Sequence, residues 1–219
     1  SEMCIRDSAN AQIRKAISLA CDRTVFAQSA YNGYATAATS PFNPQASIAQ
    51  NVKIFSSEAD SITAKQALNQ SMIDSKKLKI NILVNKNNNR IACATLLKNQ
   101  LEAIGFTVTI DEEGTKEYTR RVKNTEFNLY IGEVKLSDDM CLYPFFDDKS
   151  GGVRYGIDNE NLTCDDLYSA YLAGECDLGK FILAFNEEMP YIPLVYKKGM
   201  ICYTTVSYTH LTLPTILRV

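Results

Sequence analysis

Residues 78–110 read LKINILVNKNNNRIACATLLKNQLEAIGFTVTI, and this stretch decides the fold class. Its first seven residues place apolar side chains at alternate positions, broken only at Leu83, which is the period of a β-strand. Apolar residues then recur every three or four positions over residues 91–104, which predicts one face of a helix. Gly105 stands where a helix needs a left-handed end, and residues 106–110 alternate again as a second strand.

The alternation of strands and helices continues beyond this stretch. A short polar helix is predicted over residues 115–123, and a third strand follows at residues 127–134. Strand, helix, strand, helix, strand predicts an α/β fold with a mainly parallel sheet flanked by helices. Ligands of such sheets bind beyond the carboxyl ends of the strands, which here lead into the loops 85–89, 111–114 and 135–140.

The composition excludes two classes of protein. The chain has 219 residues, of which 46% are hydrophobic, as in an ordinary globular protein. A net charge of −2 gives no basic surface for nucleic acid. No run of about 18 apolar residues is present, so the sequence predicts no membrane span.

The two ends look foreign to the rest. Residues 1–8, SEMCIRDS, and residues 206–216, VSYTHLTLPTI, resemble translations of sequencing adapters. We therefore expect segments 1–8 and 206–219 to be artefacts, and such segments are set aside in fold reasoning.

Catalytic and metal-binding patterns are weak. The single histidine, His210, falls in the tail segment, which leaves no partner for a Ser-His or Cys-His pair. The seven cysteines show no C-x-x-C spacing and no neighbouring histidine, which argues against a zinc site. Their odd, scattered set also argues against a disulfide framework, and favours a reducing compartment or a host with few extracellular disulfides. We expect no catalytic residue, no metal and no cofactor.

Five segments in register resemble one family. Residues 13–23, IRKAISLACDR, are similar to the R-x-A-[IL]-x-x-A-x-D-R helix of the peptide/nickel-type extracellular solute-binding proteins that serve ABC importers. The same family resembles this chain at residues 32–41, at the L-x-x-Q-L-x-x-I-G step of residues 97–108, at the F-D-L-like strand of residues 127–130 and at the P-x-I-P-L-like segment of residues 189–194.

The resemblance implies a periplasmic-binding-protein-like fold that is incomplete here. Residues 9–188 would form the C-terminal lobe, and residues 189–205 would return toward a missing N-terminal lobe. The implied function is that of the substrate-binding component of an ABC transporter, a monomer that captures peptides by lobe closure and delivers them to a membrane permease. The implied location is extracytoplasmic, either periplasmic or lipid-anchored at the cell surface, with no enzymatic activity and no nucleic-acid partner.

The resemblance also points to one loop as the site. Peptide-binding members hold the peptide's α-amine with an acid in the loop after the third strand, usually in the order Trp, small residue, Asp. Here that loop lacks the Trp, and its acid is displaced by two or three positions. The candidate ligand-binding residues are Glu133, Val134, Lys135, Asp138 and Asp139, with an internal ion pair as the alternative role for Lys135.

Two other functions stay open. The same fold could bind another solute, such as a sugar or an opine, or the chain could be part of a truncated intracellular α/β enzyme. The aromatic run at residues 141–146 has two interpretations, core packing or the wall of a ligand cleft. We expect an isolated lobe to leave Phe145 and Phe146 in contact with water.

Overall fold

The structure is a computed structural model that describes residues 2–5, 11–50, 52–71, 78–146 and 163–198. The strands are β1 (Glu2–Ile5), β2 (Ala35–Ala37), β3 (Lys79–Asn85), β4 (Thr107–Glu113), β5 (Leu129–Gly132), β6 (Ile192–Pro193) and β7 (Val195–Lys197). The helices are α1 (Ala11–Ala20), α2 (Arg23–Val25), α3 (Ser61–Gln70), α4 (Asn88–Ala103), α5 (Thr115–Lys123), α6 (Tyr143–Phe146), α7 (Thr163–Leu172) and α8 (Leu178–Glu188). A π-helical turn (Phe26–Ala30) continues α2, and a 3-10 turn covers Ser47–Ala49.

The three strands predicted from the alternating stretch are parallel neighbours. Strand β3 pairs in parallel with β4 along its whole length, from Lys79 opposite Thr107 to Asn85 opposite Glu113. On its other side β3 pairs in parallel with β5, with Ile82 opposite Leu129. The predicted α/β fold with parallel strands joined by helices is therefore confirmed.

The far side of the sheet is antiparallel. The strand order is β4-β3-β5-β1-β6, and β1 runs antiparallel to both β5 and β6. Among the described strands β6 is at the edge of the sheet, the position that proline favours because it has no N–H to donate. Strand β1 comes from the segment interpreted as adapter sequence. Ladder bonds use backbone groups, which any extended segment can supply, so the origin of this segment stays a prediction.

The late strands differ in part from the sequence pattern. The apolar runs at residues 191–196 and 200–203, with Lys198-Gly199 between them, predict two strands joined by a turn, and residues 200–203 lie outside the described residues. The first run is not one strand: it divides at Leu194 into β6 and β7, and β7 pairs antiparallel with β2 in a second, two-stranded sheet. The apolar pattern could not reveal this partner, because β2 lies about 160 residues earlier in a loop with no clear period.

Helix ends follow the local sequence signals. The side chains of Asp22, Asn87 and Asp177 each accept a hydrogen bond from a backbone N–H in the first turn of the helix that follows. Gly105 has a φ of +114° just after α4, which is the left-handed end that the sequence predicts.

The aromatic run after Met140 belongs to the core. Phe145 and Phe146 are only 2% and 1% exposed, so the expectation that they meet water is wrong. Phe145 stacks on Tyr191 with ring centroids 4.2 Å apart, and Phe146 packs against Tyr168 and Phe181. These partners come from α7, α8 and the segment before β6. They are far from the run in sequence, so the run's own pattern could not predict that they would cover it.

Candidate functional site

The carboxyl ends of the three parallel strands meet at one rim. The backbone N–H of Lys86, just after β3, donates to the carbonyl of Glu113 at the end of β4, with a distance of 2.8 Å. Strand β5 ends beside them at Gly132 and leads into the loop of residues 133–140. The loops predicted to converge are thus adjacent, as parallel strands require.

A cleft of about 330 Å³ opens at this rim. One wall is the loop after β5 and the other is β7 with the end of the loop after β2. Its lining residues are Asn43, Glu133, Val134, Lys135, Leu136, Met140, Val195, Tyr196 and Lys197. Three of the five residues predicted from the sequence, Glu133, Val134 and Lys135, therefore lie in one concave surface.

Glu133 is held by two cations. Its carboxylate accepts a hydrogen bond of 2.5 Å from Lys197 Nζ, and a second of 3.3 Å from Arg90. Burial is the strongest single influence on Glu133 and raises its pKa, but the hydrogen bond from Lys197 and the nearby positive charges, those of Lys197 and Arg90 among them, together outweigh burial and lower the pKa. Glu133 is therefore an ionised carboxylate that is already neutralised within the protein.

The two cations are themselves fixed in place. Lys197 Nζ lies over the ring of the buried Tyr31, 5.6 Å from its centroid. Arg90 is largely buried, with 17% of its side chain exposed, and its Nε atom is buried without an acceptor among the described residues. The positive groups around Glu133 thus exceed the negative charge that they compensate.

Lys135 and Val134 are neighbours in the lining of the cleft, and Val134 also packs against the hydrophobic core. Lys135 is exposed, and within the described part of the chain it forms no ion pair. The carboxylate nearest to it in sequence, Glu133, pairs with Lys197 and Arg90 instead. Val134 is half-buried beside it. Lys135 is thus a cationic side chain that a ligand could reach.

The two aspartates lie on the same loop but outside the lining of the cleft. Asp139 accepts hydrogen bonds from Ser137 Oγ at 2.5 Å and from the backbone N–H of Cys141 at 3.1 Å. The Ser137 hydrogen bond lowers the pKa of Asp139. These bonds are those of a carboxylate that closes a turn. Asp138 is exposed at the tip of that turn.

Sequence reasoning missed the opposite wall of the cleft. Asn43, Tyr196 and Lys197 reach the rim because β7 pairs with β2, and no local pattern predicts that pairing. The position of Lys197 just after the apolar run of residues 191–196 was a signal, since charged residues that end a buried strand often lie at a sheet rim.

The described residues contain neither a metal-binding cluster nor a membrane-spanning helix. There, no group of three or more His, Cys, Asp or Glu side chains is placed to hold a metal ion. Among the helices of the same residues, none is both long and apolar enough to cross a membrane.

Solved structures share the fold. The oligopeptide-binding protein AppA from Bacillus subtilis, solved with a nonapeptide, superposes with a TM-score of 0.71 at 18% identity, covering 90% of this chain and 44% of that one. NikA from Staphylococcus aureus, solved with Ni(L-His)2, gives 0.72 at 17% identity with the same coverage. The murein tripeptide binding protein MppA from Escherichia coli gives 0.67 at 17%, covering 90% of this chain and 42% of that one. The chain thus spans less than half the length of these proteins.

One sequence comparison gives a family and the other gives no match. The comparison with curated proteins is the one without a match. The model of bacterial extracellular solute-binding proteins, family 5, matches residues 7–151, which is more than half of the chain. The match includes the parallel strands and the loop with Glu133. On this match, and with the shared fold, the chain belongs to the bacterial extracellular solute-binding proteins of family 5.

Proposed function

We propose that the protein containing this chain is the substrate-binding component of an ABC transporter and that it captures peptides. The observation that supports this most directly is the cleft at the carboxyl ends of β3, β4 and β5, in a chain of the solute-binding family. We propose Glu133, Val134 and Lys135 as ligand contacts from inside this cleft. Asp138 and Asp139, at the tip of the same loop, would contact the solute when the cleft closes.

Capture would proceed by closure of two lobes. The chain spans 44% of the length of AppA, so we propose that a complementary half supplies the second wall of the site. The cleft described here is open and shallow, and it can cover only one side of a solute. Closure would move the ligand's polar groups from water to fixed partners and expose a closed surface to the permease.

Peptides are the solute class that we favour among those left open. AppA was solved with a nonapeptide and MppA is a murein tripeptide binding protein, and both share the fold. A sugar or an opine would use the same closure with different contacts. We further propose an extracytoplasmic monomer, periplasmic or lipid-anchored, with no chemistry of its own and no nucleic-acid partner.

The test uses the full-length protein. Native mass spectrometry against a defined mixture of di- to pentapeptides should detect stoichiometric complexes, and small-angle scattering should show a smaller radius of gyration when the bound peptide is added. Parallel titrations with a set of monosaccharides and opines serve as the comparison. Binding of a sugar with no peptide bound, or peptide binding with no compaction, would contradict the proposal.

The complementary half provides an internal control. The 219-residue chain alone has one wall of the site, so it should bind the selected peptide at least about a hundredfold more weakly than the full-length protein, since affinity depends on enclosing the ligand. Calorimetry on the two proteins measures this ratio. Equal affinities would mean that the described cleft is the whole site.

A further inference from the structure

The side chains that line the cleft carry more positive than negative charge. Two lysines, Lys135 and Lys197, lie among the lining residues, and Arg90 stands behind Glu133. Glu133 is the single carboxylate in that lining, where all residues are described. Asp138 and Asp139 lie on the loop but not in the lining, and the Asp139 carboxylate accepts from Ser137 and Cys141.

Glu133 has little capacity left for a cationic ligand. Lys197 and Arg90 both donate to its carboxylate, so an incoming ammonium group would compete with two fixed cations at short range. Replacing the bond from Arg90 would leave a largely buried cation without its counter-charge, and that change is unfavourable. The acid nearest the cleft therefore serves to hold cations, not to receive one.

The hydrogen-bonding groups that remain are mainly donors. Lys197 has three N–H groups and the structure assigns one to Glu133, whereas Lys135 forms no ion pair with any described residue. The side-chain oxygen of Asn43 accepts from the backbone N–H of Gln45, and the amide nitrogen of Asn43 adds two N–H donors at the same wall. Donors on both walls match an acceptor with a negative charge.

We propose that this cleft binds an anionic group of the solute, a carboxylate, between Lys135 on one wall and Lys197 with Asn43 on the other. This inference rests on the proposed function and specifies its substrate class. It reverses the charge preference that the family resemblance implies for the same loop, where an acid holds the α-amine. The carboxylate is either the C-terminus of a peptide or an acidic side chain.

Three probes separate these sources. They are tetra-alanine with a free C-terminal carboxylate, its C-terminal amide, and an amidated tetrapeptide in which one alanine is replaced by glutamate. Calorimetry on the full-length protein should give tighter binding for the probes with a carboxylate than for the plain amide. Preference for the first probe identifies the C-terminus as the group bound, and preference for the third identifies an acidic side chain.

One lysine variant in the cleft and one outside it test whether the preference for a carboxylate arises in the cleft. Lys135→Gln should weaken binding of the carboxylate probe by about tenfold or more, because a charge-assisted hydrogen bond is lost, and should leave the plain amide unchanged. Lys65→Gln makes the same change at an exposed position of α3, away from the lining, and should leave both affinities unchanged. Thermal melts of each variant check that the fold is retained.

The outcomes are distinguishable. Peptide binding that does not depend on Lys135, or binding that favours the amide and weakens in Asp138→Asn, overturns the assignment of an anionic group and leaves the proposed capture of peptides intact. Failure of the unmodified protein to bind any of the peptides overturns the proposed function itself, and this inference with it.

Discussion

At the scale of single residues, Arg23 shows what the family-like D-R pair does. Its guanidinium is 1% exposed and has no carboxylate among its described partners. It donates to the carbonyls of Ser18, Ser56 and Pro193, and it lies 4.8 Å from the ring centroid of Phe55. One side chain thus connects α1, the segment before α3 and the edge strand β6. The role of this motif residue in the structure is to hold these elements together.

Arg23→Met should lower the free energy of unfolding by about 3 kcal/mol, because several buried carbonyls lose their donor at once. Urea unfolding of the 219-residue chain followed by circular dichroism measures the change. Arg120→Met is the matched control, since Arg120 is exposed and its ion pairs with Glu117 and Glu126 are on the surface. Its effect should be close to zero. Similar losses for both variants would show that burial of Arg23 is not the cause.

Glu133 provides a prediction for pH. Burial raises its pKa, but Lys197 and the other positive groups around it lower it overall, so the unfolded chain binds more protons than the folded chain between the two pKa values. The contribution of Glu133 to stability is therefore present above its unfolded pKa and is lost as the pH falls through its folded pKa. Lys197→Met should raise the pKa of Glu133, as NMR of the side-chain carboxyl carbon would measure.

The control for this measurement is the neighbouring lysine. Lys198 Nζ donates to the carbonyl of Gly33 and not to Glu133, so Lys198→Met should leave the pKa of Glu133 almost unchanged. An equal rise in both variants would indicate a general loss of positive charge. In that case the hydrogen bond from Lys197 would not be the cause of the lowered pKa of Glu133.

Cysteine reactivity is a third property of individual residues. Burial raises the pKa of both Cys21 and Cys93 to about 11, whereas Cys141 and Cys176 are half-buried near the surface. Because the thiolate is the reactive form, iodoacetamide at pH 8 should label Cys141 and Cys176 before Cys21 and Cys93. Peptide mapping by mass spectrometry gives the labelling order residue by residue. Early labelling of Cys21 in the folded chain would contradict its burial.

At the scale of elements, the helix starts divide into local and distant caps. Asn87 caps α4 and Asp177 caps α8 from the position just before each helix. Helix α7 is different, because the carboxylate of Glu188 accepts from the backbone N–H groups of Thr163 and Cys164. That carboxylate lies 25 residues along the chain, at the end of α8, so it also fixes α7 against α8. Local caps can be predicted from sequence, whereas a cap of this kind depends on packing.

Asn87→Ala should destabilise the chain by about 1 kcal/mol, because the first turn of α4 loses the side-chain acceptor for the backbone N–H of Arg90. Chemical unfolding measures the loss. Asn89→Ala, two residues further and exposed inside the same turn, makes the same substitution without removing a cap. It should be neutral or slightly stabilising, since alanine favours helices. If the two variants lose equal stability, the cap assignment is wrong.

At the scale of the molecule, one hydrophobic core joins the elements. A single cluster of buried side chains runs from Ala16 and Ile17 on α1, through the parallel strands, to Phe181 and Phe185 on α8. Aromatic rings of α6, α7 and α8 meet in its centre, where Tyr168 lies 5.0 Å from Phe181 between ring centroids. Because of this continuity, an element that contributes side chains to the cluster cannot unfold by itself without exposing the others.

The 219-residue chain should therefore unfold in one cooperative step. Far-ultraviolet circular dichroism reports helices and strands, and the near-ultraviolet tyrosine signal reports tertiary packing around the tyrosines, so the two melting curves should coincide. A tyrosine transition that precedes the loss of helices would contradict a single core. Binding of a hydrophobic dye before the main transition would do so as well.

The sequence by itself determined the parallel unit and its loops. The alternation of β3, α4, β4, α5 and β5 is visible because strand and helix periods differ, and because caps such as Asn87 and Gly105 are local signals. The position of the loop after β5 at the rim follows from that unit, whereas the choice of Glu133, Val134 and Lys135 within it came from the family resemblance. These features depend on contacts between residues that are near in sequence, or on the strand and helix periods of the apolar residues.

Only the tertiary structure decided the other half of the cleft and the surroundings of Phe145 and Phe146. Lys197 reaches Glu133 because β7 pairs with β2, and Phe145 is buried because Tyr191 stacks on it. Both depend on contacts between segments that are far apart in the chain, for which a single sequence holds no periodic signal. The charge of the site was decided there, since pairing of Glu133 with Lys197 and Arg90 leaves the cleft lined with donors.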